Sequence, residues 1–130
     1  MAFTYFKITE FDSPDEAGSG FKMNSKFVEL LDQARGLTIT KKNPNGVPFR
    51  VTSGYRTKEH NLKVGGRIGS SHCKGLAVDL AYKNNNELYL ILNALMKVGM
   101  TRYGISFKSK FIHVDMDISK VQNTIWTYNY

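Results

Sequence analysis

The sequence predicts an α+β fold, in which a small and mostly antiparallel sheet has helices packed on one of its faces. Two segments carry apolar residues at helical spacing, one around Phe27 and one around Leu88. Between and after them lie short apolar or alternating runs of strand length, bounded by residues that favour turns. Helices and strands of this kind bury their apolar faces by packing against each other in layers.

The first half of the chain is predicted to hold two helices and one strand. Residues 12–20 are rich in Pro, Gly, Ser and Asp and form a loop. Asn24 is expected to cap the first helix. The apolar face of that helix holds Phe27, Leu30, Leu31 and Ala34. A turn then leads into a short strand over residues 49–52, and Thr57 is expected to cap a short helix that ends at Leu62.

The second half is predicted to hold a buried strand, a helix and two further strands. Residues 76–81 form a short apolar run with one acid inside it, which indicates a buried strand. Asn84 to Asn86 offer caps for the next helix. Its apolar stripe holds Leu88, Ile91, Leu92, Leu95 and Met96. Residues 101–106 and 110–116 are predicted to be two strands joined by a turn, and Trp126 is expected to fold back on the core.

Length and composition predict one domain over residues 1–130, expected to be a monomer. No apolar run is long enough for a membrane span. The lone Cys73 excludes an internal disulfide. The N-terminal residues have neither the apolar core nor the cleavage site of a secretory signal, so we expect synthesis in the cytoplasm.

The net charge of +7 predicts attraction to polyanions. Nucleic acid is one such partner, but no recognised nucleic-acid-binding motif accompanies the charge. A bacterial wall that carries anionic polymers would attract this surface equally well. We therefore expect no specific nucleic-acid site.

Four polar residues stand in positions that need an explanation. Asp79 lies inside the apolar run over residues 76–81, where an unpaired carboxylate would cost several kcal/mol. In the strand over residues 110–116, alternation places His113 and Asp115 on the same face. His72 lies in a loop of small residues just before Asp79.

Two histidines and one aspartate match the ligands of a catalytic zinc site, which uses three protein ligands and water. A loop residue and a residue of the adjoining strand can converge on one ion, with the third ligand arriving from a neighbouring strand. Spacing alone leaves two alternatives open. A buried histidine is often a hydrogen-bonded core residue, and a buried aspartate often pairs with an arginine.

Three motifs in this order resemble the D-alanyl-D-alanine carboxypeptidase family of zinc peptidases. They are Ser53-Gly54-Tyr55-Arg56, the segment from Ser71-His72 through Gly75 and Ala77 to Asp79, and His113-Val114-Asp115. The resemblance extends to Phe6-x-Ile8-x-Glu10-Phe11, the helix that ends at Arg35, and Asn61-x-x-Val64-Gly65-Gly66. The family also contains phage endolysins that cleave the L-alanyl–D-glutamate bond. It shares a metal-site fold with lysostaphin-type peptidases and the hedgehog signalling domain.

The resemblance implies one zinc ion per chain, bound by His72, Asp79 and His113. It also implies that Arg56 faces the substrate carbonyl or carboxylate, where a guanidinium can stabilise the developing negative charge. A surface ion pair is the alternative for Arg56. Ser71 either donates a hydrogen bond to the substrate or shapes its loop.

The sequence offers two candidates for the general base. Several relatives carry an acid three residues before the last zinc histidine, but Lys110 occupies that position here. Asp115 is the candidate base because it shares a strand face with His113, and the alternative is that it orients this zinc ligand. His60 is a weaker candidate. Cys73 is expected to be a free thiol, since a fourth protein ligand would close the position that catalysis needs.

The resemblance thus implies a metallopeptidase of peptidoglycan stem peptides, acting as a D-Ala-D-Ala carboxypeptidase or an L-Ala–D-Glu endopeptidase. The setting is either a phage-type lysin or a bacterial wall-remodelling enzyme. The missing secretory signal favours a lysin that reaches the wall through a holin or with a virion, and a cytoplasmic dipeptidase-like role stays open. The alternative is a non-catalytic binding domain that retains the zinc site.

Overall fold

Five strands form one mixed sheet. The structure is a computed structural model, and it describes residues 2–130. The strands are β1 (Arg50–Ser53), β2 (Ala77–Ala81), β3 (Arg102–Ser106), β4 (Phe111–Asp115) and β5 (Thr124–Thr127). Their order across the sheet is β1-β2-β4-β3-β5. Every neighbouring pair is antiparallel except β3 and β5, which are parallel. The predicted α+β class is confirmed.

Three helices accompany the sheet, and each begins at a predicted cap. They are α1 (Ser25–Leu37), α2 (Lys58–Lys63) and α3 (Asn85–Lys97). The side chains of Asn24, Thr57 and Asn84 accept hydrogen bonds from backbone N–H groups in the first turns of these helices. Short 3₁₀ turns occur at Ile8–Phe11, Ser19–Lys22 and Ser71–Lys74. No helix within residues 2–130 is long and apolar enough to cross a membrane.

The two faces of the sheet differ because side chains alternate along each strand. Val78 and Leu80 of β2, with Ile112 and Val114 of β4, are fully buried in the core. The same core contains the apolar faces of α1 and α3. The intervening residues therefore project from the other face, which is where the polar side chains of β2 and β4 lie.

One row of paired residues crosses all five strands on that second face. Ser53 is opposite Asp79, which is opposite His113. Gly104 is opposite His113 on the next strand, and Trp126 is opposite Gly104. Strand register thus brings two of the predicted zinc ligands side by side.

The strand β5 was not predicted, and the expectation for Trp126 was wrong. Trp126 does not join the hydrophobic core under α1 and α3. It lies on the polar face of the sheet, with its ring centroid 5.6 Å from that of His113. The parallel pairing of β5 with β3 causes this placement, and a pairing between such distant segments is not visible in local sequence patterns.

Candidate metal centre

The structure brings together the three residues that the sequence proposed as zinc ligands. His72 comes from the 3₁₀ turn Ser71–Lys74, Asp79 from β2 and His113 from β4. One ligand atom from each residue can be chosen so that all three lie within 4.8 Å of one another. No other group of this kind is found among residues 2–130.

The spacing of these atoms fits a zinc ion. Ligand atoms about 2.1 Å from a tetrahedral zinc lie about 3.4 Å from one another. Asp79 Oδ1 is 3.0 Å from His113 Nδ1 and 3.4 Å from His72 Nε2. Imidazole nitrogen and carboxylate oxygen are also the donor types that zinc takes. The three side chains therefore match the metal in both spacing and chemistry.

His72 is held so that its Nε2 atom faces Asp79. The ring is buried, and Nδ1–H donates to the backbone carbonyl of Gly54 at 2.8 Å. With the proton on Nδ1, the lone pair is on Nε2. A backbone carbonyl on the outer nitrogen is a common support for a metal-binding histidine.

The chain passes close to Phe11 at Gly54, the residue whose carbonyl accepts this hydrogen bond. A Cβ atom at position 54 would lie 2.7 Å from the Cα atom of Phe11. The N–H of Tyr55 donates to the carbonyl of Phe11 at 2.8 Å, which fixes the approach. A side chain at the glycine of the Ser-Gly-Tyr-Arg motif would therefore clash with Phe11, and the carbonyl of this glycine supports His72.

His113 is held in the opposite sense, with Nδ1 facing Asp79. Its Nε2–H donates to Asp115 Oδ2 at 2.7 Å. Asp115 is only 1% exposed, and its Oδ1 accepts from Arg102 Nε at 2.7 Å and from the backbone N–H of Asp117 at 3.1 Å. Both carboxylate oxygens are thus engaged on the side of His113 away from Asp79. This geometry favours the orienting role for Asp115 over the role of general base.

The charges of this cluster are strongly coupled. Burial opposes ionisation of Asp79, but the contacts of its carboxylate with the His113 and His72 rings outweigh it and hold the pKa of the carboxyl well below its usual range. Burial also disfavours the charged form of His113, but hydrogen bonds to Asp115 and Asp79 raise the pKa of the ring. Asp79 is therefore an anion, as a metal ligand must be.

Arg56 points into the same cluster. Its Nε–H donates to Ser53 Oγ at 3.0 Å and one Nη1–H donates to Asn61 Oδ1 at 3.3 Å. Its Nη2 lies 3.5 Å from Asp79 Oδ2, which is the oxygen turned away from the histidines. Asp79 thus contacts an arginine as well as two histidines, and the arginine contact is the longest of the three.

Ser71 and Asp117 form a buried network behind His72. Ser71 donates to Asp117 Oδ2 at 2.7 Å, and Lys120 donates to Ser71 Oγ at 2.8 Å. Lys74 also donates to Asp117 Oδ2, at 2.9 Å. Burial opposes ionisation of Asp117, but hydrogen bonds from Ser119, Ser71 and Lys74 hold its pKa well below its usual range. Since Ser71 gives its proton to Asp117, the structure favours loop shaping over substrate binding for Ser71.

Two residues near the centre, Asp117 and Trp126, were missed from the sequence. Asp117 continues the alternation of His113 and Asp115, and this period of two was the available signal. Trp126 lies in the short run over residues 124–127, whose alternating polar and apolar residues could have indicated a strand.

The remaining candidates lie outside the group of three ligands. His60 is on α2 and lines a surface depression with Pro14, Asp15 and Glu59. Lys110 is exposed in the turn between β3 and β4, with a φ angle of 56°. Cys73 is a free, partly buried thiol, and burial raises its pKa.

A His–Asp–His cluster beside the polar face of the sheet has the ligand types and the number of protein ligands of a catalytic zinc site. The model of the family described as Peptidase M15 matches residues 4–115, and the chain belongs to this family. M15 peptidases are generally zinc-dependent, and the His–Asp–His cluster agrees with that requirement. No curated protein matches the chain at a significant level.

Proposed function

We propose that the chain hydrolyses the stem peptides of bacterial peptidoglycan with one zinc ion bound by His72, Asp79 and His113. The observation that carries this proposal is the convergence of three ligand atoms, with a nitrogen of each histidine 3.0 or 3.4 Å from Asp79 Oδ1 and all three atoms within 4.8 Å of one another. In each histidine the outer nitrogen is already bonded to the protein, so the inner nitrogen is oriented before a metal arrives. Membership of the M15 family supports peptide hydrolysis.

Arg56 is the proposed substrate-binding and charge-stabilising residue. When bound, zinc polarises the scissile carbonyl and lowers the pKa of a coordinated water toward about 7. A guanidinium has five N–H donors, and contacts to Ser53, Asn61 and Asp79 engage three of them. The other two are available to a substrate oxygen, and the three contacts fix their direction.

Asp115 is proposed to orient His113, and Ser71 to hold the loop that carries His72. Asp115 accepts a hydrogen bond from Nε2–H of His113, which leaves Nδ1 facing Asp79 as the nitrogen that would bind the metal. Ser71 ties the 3₁₀ turn to Asp117, which follows β4. Both residues act through a ligand and do not contact the substrate.

A non-catalytic zinc-binding domain is the second candidate, and two observations favour it. The carboxylates of Asp79, Asp115 and Asp117 are each engaged by protein donors. Lys110 stands three residues before His113, where several members of the family that the sequence resembles carry an acid. Turnover separates the two functions, because both of them include zinc binding.

The setting proposed for this activity is a phage-type lysin, made in the cytoplasm, acting as a monomer and reaching the wall through a holin or with a virion. The net charge of +7 supports attraction to anionic wall polymers. The bond cut is either D-Ala-D-Ala, by carboxypeptidase action, or L-Ala–D-Glu, by endopeptidase action.

Mass spectrometry of muropeptides digested by the zinc-loaded protein tests the proposal. New peptide termini should appear, and their identity gives the bond. Asp79→Ala is the matched control, because it removes a proposed ligand. Products that form equally with this variant would point to a contaminating hydrolase. Intact muropeptides with a fully zinc-loaded parent protein would favour the non-catalytic candidate.

A further inference from the structure

We propose that four aromatic side chains beside the metal centre bind a sugar of the glycan strand to which the substrate peptide is attached. We call them the aromatic wall: Phe111, Trp126, Tyr128 and Tyr130. The inference rests on the proposed function, since it names a second part of the substrate at the same site. Three of the four residues lie beyond the segment matched by the family model.

The aromatic wall is continuous with the proposed metal ligands. The ring centroids of His113 and Trp126 are 5.6 Å apart, and those of Trp126 and Tyr128 are 6.5 Å apart. Tyr128 in turn lies 5.2 Å from Phe111 and 5.4 Å from Tyr130. A molecule that reaches the metal centre from this side therefore passes along the rings.

Gly104 allows the wall to lie against the centre. A Cβ atom at position 104 would be 2.5 Å from Trp126 Nε1 and 2.7 Å from the Tyr128 hydroxyl. Gly104 is opposite His113 in the sheet, so the polar tips of both rings are turned toward the metal row. They can offer hydrogen bonds there while the ring faces offer apolar area.

The wall is both anchored and accessible. The Arg102 guanidinium packs over the Trp126 ring at 4.9 Å, and the N–H of Tyr128 donates to the carbonyl of Ile105 at 3.1 Å. Tyr130 is 62% exposed, and the other three rings are half-buried outside the hydrophobic core. A contiguous and partly exposed aromatic patch that is held in place in this way can serve as a binding surface.

The chemistry of peptidoglycan selects the sugar as the occupant. Stem peptides consist of alanine and of dicarboxylic and basic residues. A basic side chain can pack on the face of one ring, but none of these side chains is large enough to cover several aromatic rings. A pyranose ring presents a face of C–H groups, which packs against the negative face of an aromatic ring. Its hydroxyl and acetamido groups can bond to the hydroxyls of Tyr128 and Tyr130.

Fluorescence tests sugar binding without hydrolysis. Trp126 is the only tryptophan of the chain, so its emission reports on the wall. Titration with the peptide-free disaccharide of N-acetylglucosamine and N-acetylmuramic acid should give a saturable change. Tyr130→Ala should weaken the affinity about tenfold. The loss of one stacking ring has an effect of this size in proteins that stack aromatic side chains on the bases of single-stranded nucleic acid. Tyr89→Ala is the matched control, since Tyr89 is 64% exposed on α3 and outside the wall.

Hydrolysis rates provide a second test of sugar binding. The kcat/KM of the parent protein should be about tenfold higher for a disaccharide-linked stem peptide than for the free peptide. In Tyr130→Ala and Tyr128→Phe this ratio should fall toward one. No fluorescence response together with equal rates on both substrates would overturn the inference and leave the proposed function intact. Wall variants that slow both substrates equally would also overturn it, because the wall would then bind the peptide. A saturable fluorescence response without hydrolysis of either substrate would support the sugar site and contradict the peptidase.

Discussion

Replacing Asp115 by asparagine separates the orienting role from the role of general base. Asparagine keeps the shape of the side chain but has one acceptor oxygen and one NH₂ group. In the parent protein the two carboxylate oxygens accept from Arg102 and from His113, both at 2.7 Å. One of these two donors must therefore face the amide nitrogen in the variant.

The structure sets the size of the effect. Arg102 is 8% exposed and Asp115 is 1% exposed, so the variant leaves a buried guanidinium without its counter-charge. Removal of one partner from a buried ion pair costs about 3–5 kcal/mol of folding free energy. Loss of the support behind a metal-binding histidine lowers metal affinity about 10–100-fold. We expect both losses in Asp115→Asn.

Zinc affinity by chelator competition and turnover at saturating zinc should be measured on the folded variant. Glu87→Gln is the control, since it breaks the ion pair with Arg50, 3.0 Å long, away from the metal centre. It should leave zinc affinity unchanged. If Asp115→Asn keeps parental zinc affinity while turnover falls about 10²–10⁴-fold, Asp115 is the base and the orienting assignment is refuted.

Three further outcomes are expected. Asp79→Ala should abolish tight zinc binding, measured as zinc per folded chain, because it removes the anionic ligand; unchanged stoichiometry would refute the ligand assignment. Arg56→Lys should retain zinc but lower turnover by about tenfold or more, since an ammonium cannot reproduce the fixed donors of a guanidinium; an unaltered rate would make Arg56 structural. Asp117→Asn should be less stable than the parent at neutral pH. Because the pKa of Asp117 is lowered on folding, this difference in urea-unfolding free energy should shrink below about pH 4, and a pH-independent difference would contradict the ionic role.

Local sequence patterns predicted the helices because helix signals are local. The caps at Asn24 and Thr57 and the apolar stripe of α3 depend on residues within a few turns of each other. The strand assignment at residues 76–81 succeeded for a similar reason, since a short apolar run of that length has few other placements. Asp79 stood out as an anomaly within this run, and the structure places it in the His–Asp–His cluster.

Contacts between distant segments could not be predicted in the same way. The hydrogen bond from Ser71 to Asp117 joins residues 46 positions apart. β5 pairs with β3 in parallel, and nothing near Trp126 specifies that partner or its register. Consequently the sequence placed Trp126 in the core, although it lies against His113 and Arg102.

The role of Asp115 depends on both kinds of information. Alternation along β4 correctly placed its side chain on the face of His113, but a shared face does not show which ring nitrogen the carboxylate reaches. Register supplies that answer, because Arg102 is directly opposite Asp115 on β3 while Asp79 is directly opposite His113 on β2. Arg102 holds Asp115 on one side of His113, and Asp79 lies on the other side. The Nε2 atom of His113 therefore bonds to Asp115, and its Nδ1 atom is the one that faces the metal centre. A carboxylate held between an arginine and a protonated ring nitrogen stabilises the orientation of that ring and is not free to accept a proton from water.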